Sequence, residues 1–158
     1  MIGLFTAIII LNFIVIKIDK VLTGNQILHI WCFTVAFQTF FDIFVEFKYG
    51  GYWYFDKEID FLGLLSHLLI VPPVNILFLN YYPLKKPFFK RLIYIGIWVA
   101  IILVYELIAL LPEPWGYFHY GWWTIVHSIL LDPVLFAILI IFFRWILFLE
   151  KRALEKMM

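Results

Sequence analysis

The chain has 158 residues, 65% hydrophobic and 15% charged, with a net charge of +1. Ordinary soluble domains are roughly a quarter charged, so water is excluded as the main solvent, and several spans of about 20 residues would use nearly all of this length, leaving no separate soluble domain. Nucleic acid is excluded as a partner, because there is no basic stripe and the overall charge is close to neutral; the expected partner is the lipid bilayer.

Five apolar segments are predicted as membrane spans, roughly 2–18, 26–47, 59–80, 92–111 and 120–148, making one transmembrane domain of residues 1–158. The first lacks a basic leading region and a small-residue cleavage site, so it reads as a retained span and not as a signal peptide. The second carries Gln38, Asp42 and Glu46 at four-residue steps, which puts them along one stripe of a helix. It also holds the lone cysteine, Cys32, expected to be a small core hydrophobe. The third contains Asp60 and His67, seven apart and on one face, and then Pro72-Pro73, whose two missing N–H groups predict a kink. Asn75 and Asn80 follow and are expected to satisfy carbonyls that the kink frees.

The fourth span has a single acid, Glu106, and a face of Tyr94, Trp98 and Tyr105 that reads as packing. The fifth is the longest and is expected to tilt or project beyond the bilayer, with an interruption at Asp132-Pro133. Its polar stripe is Thr124, Ser128 and Asp132, with His127 one position to the side. Only helices and closed barrels satisfy the backbone in hydrocarbon, and these runs are too long for barrel strands. The expected fold is therefore all-α, a polytopic integral membrane helical bundle with about five transmembrane helices.

Lys17, Lys20, Lys85, Lys86, Lys90, Arg91, Arg144, Lys151, Arg152 and Lys156 fall on one side of these spans, and only Lys48 and Lys57 on the other. The positive-inside rule then puts the N-terminus outside and the C-terminus in the cytoplasm. The two outer loops are rich in aromatic residues, from Tyr49 to Phe55 and from Trp115 to Trp123, and are expected to lie in the headgroup layer and cap the bundle.

Ionisable groups inside a membrane are expensive, and they mark functional sites by default. At about 1.5 Å per residue, Asp42 and Glu106 lie roughly 8 Å below the outer surface, His67 and His127 roughly 12 Å, and Asp132 roughly 18 Å. If their faces converge, Asp42, Glu46, His67, Glu106, His127 and Asp132 line an outward-facing polar cavity, a candidate site for a ligand or proton. His67 and His127, with the carboxylates, are the candidate metal ligands, although no close-spaced metal signature is present. The alternative role for these groups is hydrogen bonding between helices.

Phe41-Asp42, Lys48-Tyr49, Pro73-x-Asn75, Phe78-Leu79-Asn80-x-Tyr82-Pro83, Tyr105-Glu106 and Tyr120-Gly121-Trp122, followed by Ser128 and Pro133, occur in an order and spacing that resembles an uncharacterised family of small multi-span membrane proteins common in endospore-forming bacteria. The resemblance runs from about Phe40 to Phe143 and implies a several-span protein of the bacterial cytoplasmic membrane, with no established activity or cofactor. That pattern has aromatic residues where this chain has His127 and Asp132, which shifts emphasis to Asp42 and Glu106. The leading expectation is a non-enzymatic cell-membrane protein that binds a small ligand or cation in the cavity, or uses its polar core to assemble with other membrane proteins or with itself. The alternative is a membrane-embedded enzyme, with or without a metal, acting on a lipid or peptide at the outer surface.

Overall fold

The computed structural model describes residues 1–57 and 61–157. It contains six α-helices in chain order: α1 (Ile2–Lys17), α2 (Gly24–Asp42), α3 (Phe61–Leu69), α4 (Val71–Tyr81), α5 (Phe88–Ala109) and α6 (Ile125–Met157). A π-helical turn, Ile43–Lys48, continues α2 without a break. Four of the resulting rods, 24–48, 61–81, 88–109 and 125–156, are long and apolar enough to cross a membrane. Side chains such as Ile9, Ile16, Phe40, Phe88, Leu130 and Ile141 point outward, as a lipid-facing surface requires.

α1, at 16 residues, is about 24 Å long and falls short of the hydrocarbon thickness of about 30 Å. It nevertheless reaches between the two ends of the bundle. At one end the Gly3 amide bonds to the Pro114 carbonyl. At the other, just past α1, the Asp19 carbonyl accepts from Asn80 Nδ2 at 3.2 Å, and the Val21 amide donates to Asn80 Oδ1 at 2.9 Å. This second end also holds the start of α2, where Thr23 and Gln26 form a reciprocal cap and Gln26 Nε2 donates to Glu150 Oε2 of α6 at 2.6 Å. The segments carrying most of the basic residues therefore gather at one end, and the aromatic segments at the other.

The aromatic segments do more than lie flat. Tyr52–Tyr54 (β1) pairs antiparallel with Phe118–Tyr120 (β2), Tyr52 opposite Tyr120 and Tyr54 opposite Phe118. The pairing needs a close backbone crossing, with the amides of Gly121 and Trp123 donating to the Gly51 carbonyl at 2.8 and 2.9 Å. Only glycine fits at 121, since a Cβ there would stand 2.1 Å from the Gly50 oxygen.

The double proline breaks the third rod between α3 and α4, where Ile70 departs from helical geometry at φ −112°. By the i to i−4 rule, the carbonyls that Pro72 and Pro73 leave unmatched are those of Leu68 and Leu69. Both are taken by side chains from neighbouring helices: Trp31 Nε1 of α2 donates to the Leu68 oxygen at 3.0 Å, and Asn12 Nδ2 of α1 to the Leu69 oxygen at 2.8 Å. The expected donors do something else, because Asn75 reaches across to Thr34 Oγ1 at 2.9 Å and Asn80 holds the α1–α2 connection. Asn12→Leu is expected to lower stability by about 1–3 kcal/mol, the cost of stranding a buried carbonyl. Unfolding in detergent is the measurement, and wild-type stability in both Asn12→Leu and Trp31→Phe would refute this account of the break.

Two other expectations are corrected. α6 runs uninterrupted through Pro133, since a transmembrane helix tolerates one lost backbone bond when neighbouring groups compensate. Cys32 lies on the exposed side of α2 and not in the core, as lipid accommodates a small apolar side chain equally well. The start of the third span, with Asp60, lies outside the described residues. The main core centres on Phe78, fully buried, whose ring stacks on Phe136 and meets Tyr82, Tyr94 and Trp98. The Tyr94 hydroxyl also donates to the Phe78 carbonyl at 2.9 Å, so the aromatic face of α5 serves packing.

Candidate functional site

The polar stripe of α2 meets α3 directly beneath β1. Gln38 Nε2 donates to both Asp42 oxygens, at 3.2 and 3.0 Å, and the Tyr52 hydroxyl donates to Asp42 Oδ1. His67 Nε2 lies 3.0 Å from Asp42 Oδ2. Glu46, on the π-helical turn, completes a buried trio: one ligand atom each from Asp42, Glu46 and His67 lies within 4.8 Å of the others. The edge of the Tyr54 ring faces the His67 imidazole, with centroids 5.1 Å apart. Burial and, next, the Asp42 carboxylate push the Tyr52 phenol well above its ordinary pKa, so it stays a hydrogen-bond donor; burial does the same for Tyr54.

A second cluster joins α5, α6 and β2. Glu106 Oε1 accepts from the Tyr120 hydroxyl at 2.5 Å and from Ser128 Oγ at 2.7 Å, and Trp123 Nε1 donates to Ser128 Oγ at 2.9 Å. The Trp123 ring in turn meets Tyr52 edge-on, 5.5 Å away, which links the two clusters beneath the strand pair.

Between them lies a cavity of about 250 Å³, walled by α2, α4, α5 and α6 and roofed by Tyr52, Tyr54, Phe118 and Trp123. Its lining is mostly apolar and aromatic, with Gln38, Ser66, Asn75, Glu106, Ser128 and Asp132 as the polar exceptions. Two of these are unmatched: Ser66 Oγ and Asp132 Oδ2 are shut off from solvent and make no hydrogen bond. Small-molecule sites have this composition, a largely apolar wall with a few converging polar groups, and this one is slightly below their usual size of roughly 300–1,000 Å³.

The residues singled out from the sequence thus fall into three places. Asp42, Glu46 and His67 form the buried trio, while Glu106 and Asp132 line the cavity. His127 joins neither, because its Nδ1 accepts the Thr124 amide at 3.1 Å and its ring packs against Trp122 and Trp123. His67 and His127 therefore do not come together as a pair of metal ligands. Tyr52 and Tyr120, the donors that fix the two key carboxylates, were not evident from the sequence. Their only signal is the aromatic content of two three-residue strands.

Comparison with protein-family models, with curated proteins and with solved structures finds no match to this chain.

Proposed function

We propose that this chain is a non-enzymatic protein of the bacterial cytoplasmic membrane that binds a small ligand with a protonated amine on an apolar body, in the cavity between α2, α4, α5 and α6. The observation that carries the proposal is the unmatched, solvent-inaccessible Asp132 Oδ2 on the wall of an otherwise mostly apolar cavity. Such an oxygen is costly in a low-dielectric interior, and a donor carried by the ligand removes that cost. Glu106, already held by Tyr120 and Ser128, places a second carboxyl group on the same wall. Ser66 Oγ offers a further hydrogen bond. The gathering of basic segments at the opposite end supports a cavity in the outer half of the membrane, by the positive-inside rule, and the resemblance to the multi-span family of endospore-forming bacteria supports the setting.

The test uses purified protein in detergent, titrated with a short n-alkylammonium and with the n-alkanol of equal length. The amine is expected to raise the melting temperature saturably and the alcohol to do so much less. Asp132→Asn should weaken amine binding roughly tenfold to a hundredfold, the worth of a charged hydrogen bond. Equal responses to amine and alcohol, or unchanged amine binding in both Asp132→Asn and Glu106→Gln, would refute the proposal.

A further inference from the structure

We propose that Asp42, Glu46 and His67 form a binding site for one divalent transition-metal ion, zinc or manganese, set behind the cavity wall and covered by Tyr52 and Tyr54. The donor set is the first reason. One imidazole and two carboxylates suit these ions, and all three residues are buried, with donor atoms within 4.8 Å of one another. Donors about 2.0–2.2 Å from a shared ion stand roughly 3.3–3.6 Å apart at tetrahedral angles, so binding requires the widest side of the trio to contract by roughly an ångström.

The geometry of His67 is the second, independent reason. Its Nε2 lies 3.0 Å from Asp42 Oδ2 yet makes no hydrogen bond, because the direction of a ring N–H does not point along that line. A buried ring nitrogen that lies beside a carboxylate but makes no hydrogen bond of its own is open to a cation that both groups could bind. The imidazole is 5% exposed and the Asp42 side chain 1%, so solvent does not supply that cation. Nor do the two lysines of this end, which lie over aromatic rings: Lys48 over Phe44 and Tyr49, and Lys57 over Trp53.

The surroundings are built like those of a metal centre. Ligating carboxylates are usually oriented by hydrogen bonds from neighbouring groups, and Gln38 and Tyr52 hold Asp42 in this way. The helix changes to π-helical winding between Asp42 and Glu46, a local distortion that recurs at functional sites. With three protein donors, a fourth position is left for water or for a group admitted from the cavity, on which Tyr52 and Tyr54 also border.

The experiment is elemental analysis of the full chain, purified in detergent with zinc or manganese and then freed of unbound metal, together with melting curves in the presence of each ion and of a chelator. Wild-type protein should retain near-stoichiometric metal, and the ion should raise its melting temperature. Glu46→Gln, which keeps the size of the side chain but replaces one carboxylate oxygen with an NH2 group and removes the charge, should lose at least tenfold in metal affinity, whereas His127→Ala should keep the wild-type metal content. The assignment is overturned if wild-type protein neither retains nor is stabilised by either ion, as for a plain Asp–His pair. It is equally overturned if Glu46→Gln binds metal like wild type or if His127→Ala loses it. Amine binding in the cavity reads out separately, because Glu46→Gln should leave it intact and Asp132→Asn should leave the metal intact.

Discussion

Asp42→Ala should destabilise the chain by about 2–6 kcal/mol, the cost of leaving two buried donors unmatched. The side chain is 1% exposed and three groups converge on it, from Gln38, Tyr52 and His67. Alanine leaves Gln38 Nε2 and the Tyr52 hydroxyl without this acceptor in a region from which water is excluded, and each orphaned donor costs about 1–3 kcal/mol before any relaxation. Asp42→Asn is the discriminating companion, since its carbonyl oxygen still accepts from Tyr52 while the charge and one acceptor oxygen are lost. It should cost clearly less than alanine. Equilibrium unfolding in detergent measures both, and a loss below about 1 kcal/mol for Asp42→Ala would mean that the converging groups find other partners.

Gly121→Val should have a comparable effect through a different cause. A Cβ at this position stands 2.1 Å from the Gly50 oxygen, a backbone atom that no rotamer change can move aside. The two segments must separate, breaking the bonds from Gly121 and Trp123 to Gly51. Two lost hydrogen bonds at about 1 kcal/mol each, with an overpacking cost of about 1–3 kcal/mol, give a loss of about 3 kcal/mol or more. The consequence reaches both clusters, because β1 carries Tyr52 to Asp42 and the segment after β2 carries Trp123 to Ser128. Gly121→Val should therefore unfold early and also weaken the proposed amine binding at temperatures where it remains folded. Gly24→Val, at a glycine with open space around it, is the control expected to leave the cavity unaffected. Wild-type stability in Gly121→Val would show that the crossing is looser than its geometry indicates.

Much of the fold follows from patterns local to each segment. The long apolar runs define the four rods, and the four-residue repeat of Gln38, Asp42 and Glu46 places them on one stripe because successive turns of a helix align them. Rotation of one helix against another is not local, and there the sequence is silent. His127 is one residue from Ser128, a turn of about 100° about the helix axis, and that step separates a residue packed on tryptophans from one on the cavity wall. His67 reaches Asp42 because the third rod breaks at Ile70, and the orientation of α3 depends on contacts with α1 and α2 as much as on its own residues. The strand pair was hidden for a similar reason: strands of three residues carry little periodic signal, and their partner lies far along the chain.

The break at Pro72-Pro73 also bears on how the chain is made. The two carbonyls it exposes belong to residues 68 and 69, and their donors, Trp31 and Asn12, lie 37 and 57 positions nearer the N-terminus. At about 5–20 residues per second, Trp31 leaves the ribosome roughly two to seven seconds before Leu68. α1 and α2 can thus already be in the bilayer when the proline-broken rod arrives, and the rod enters lipid alongside the partners for its bare carbonyls. Reversing the order of these segments would keep every contact of the finished bundle but would leave that rod waiting in hydrocarbon with two unmatched polar groups.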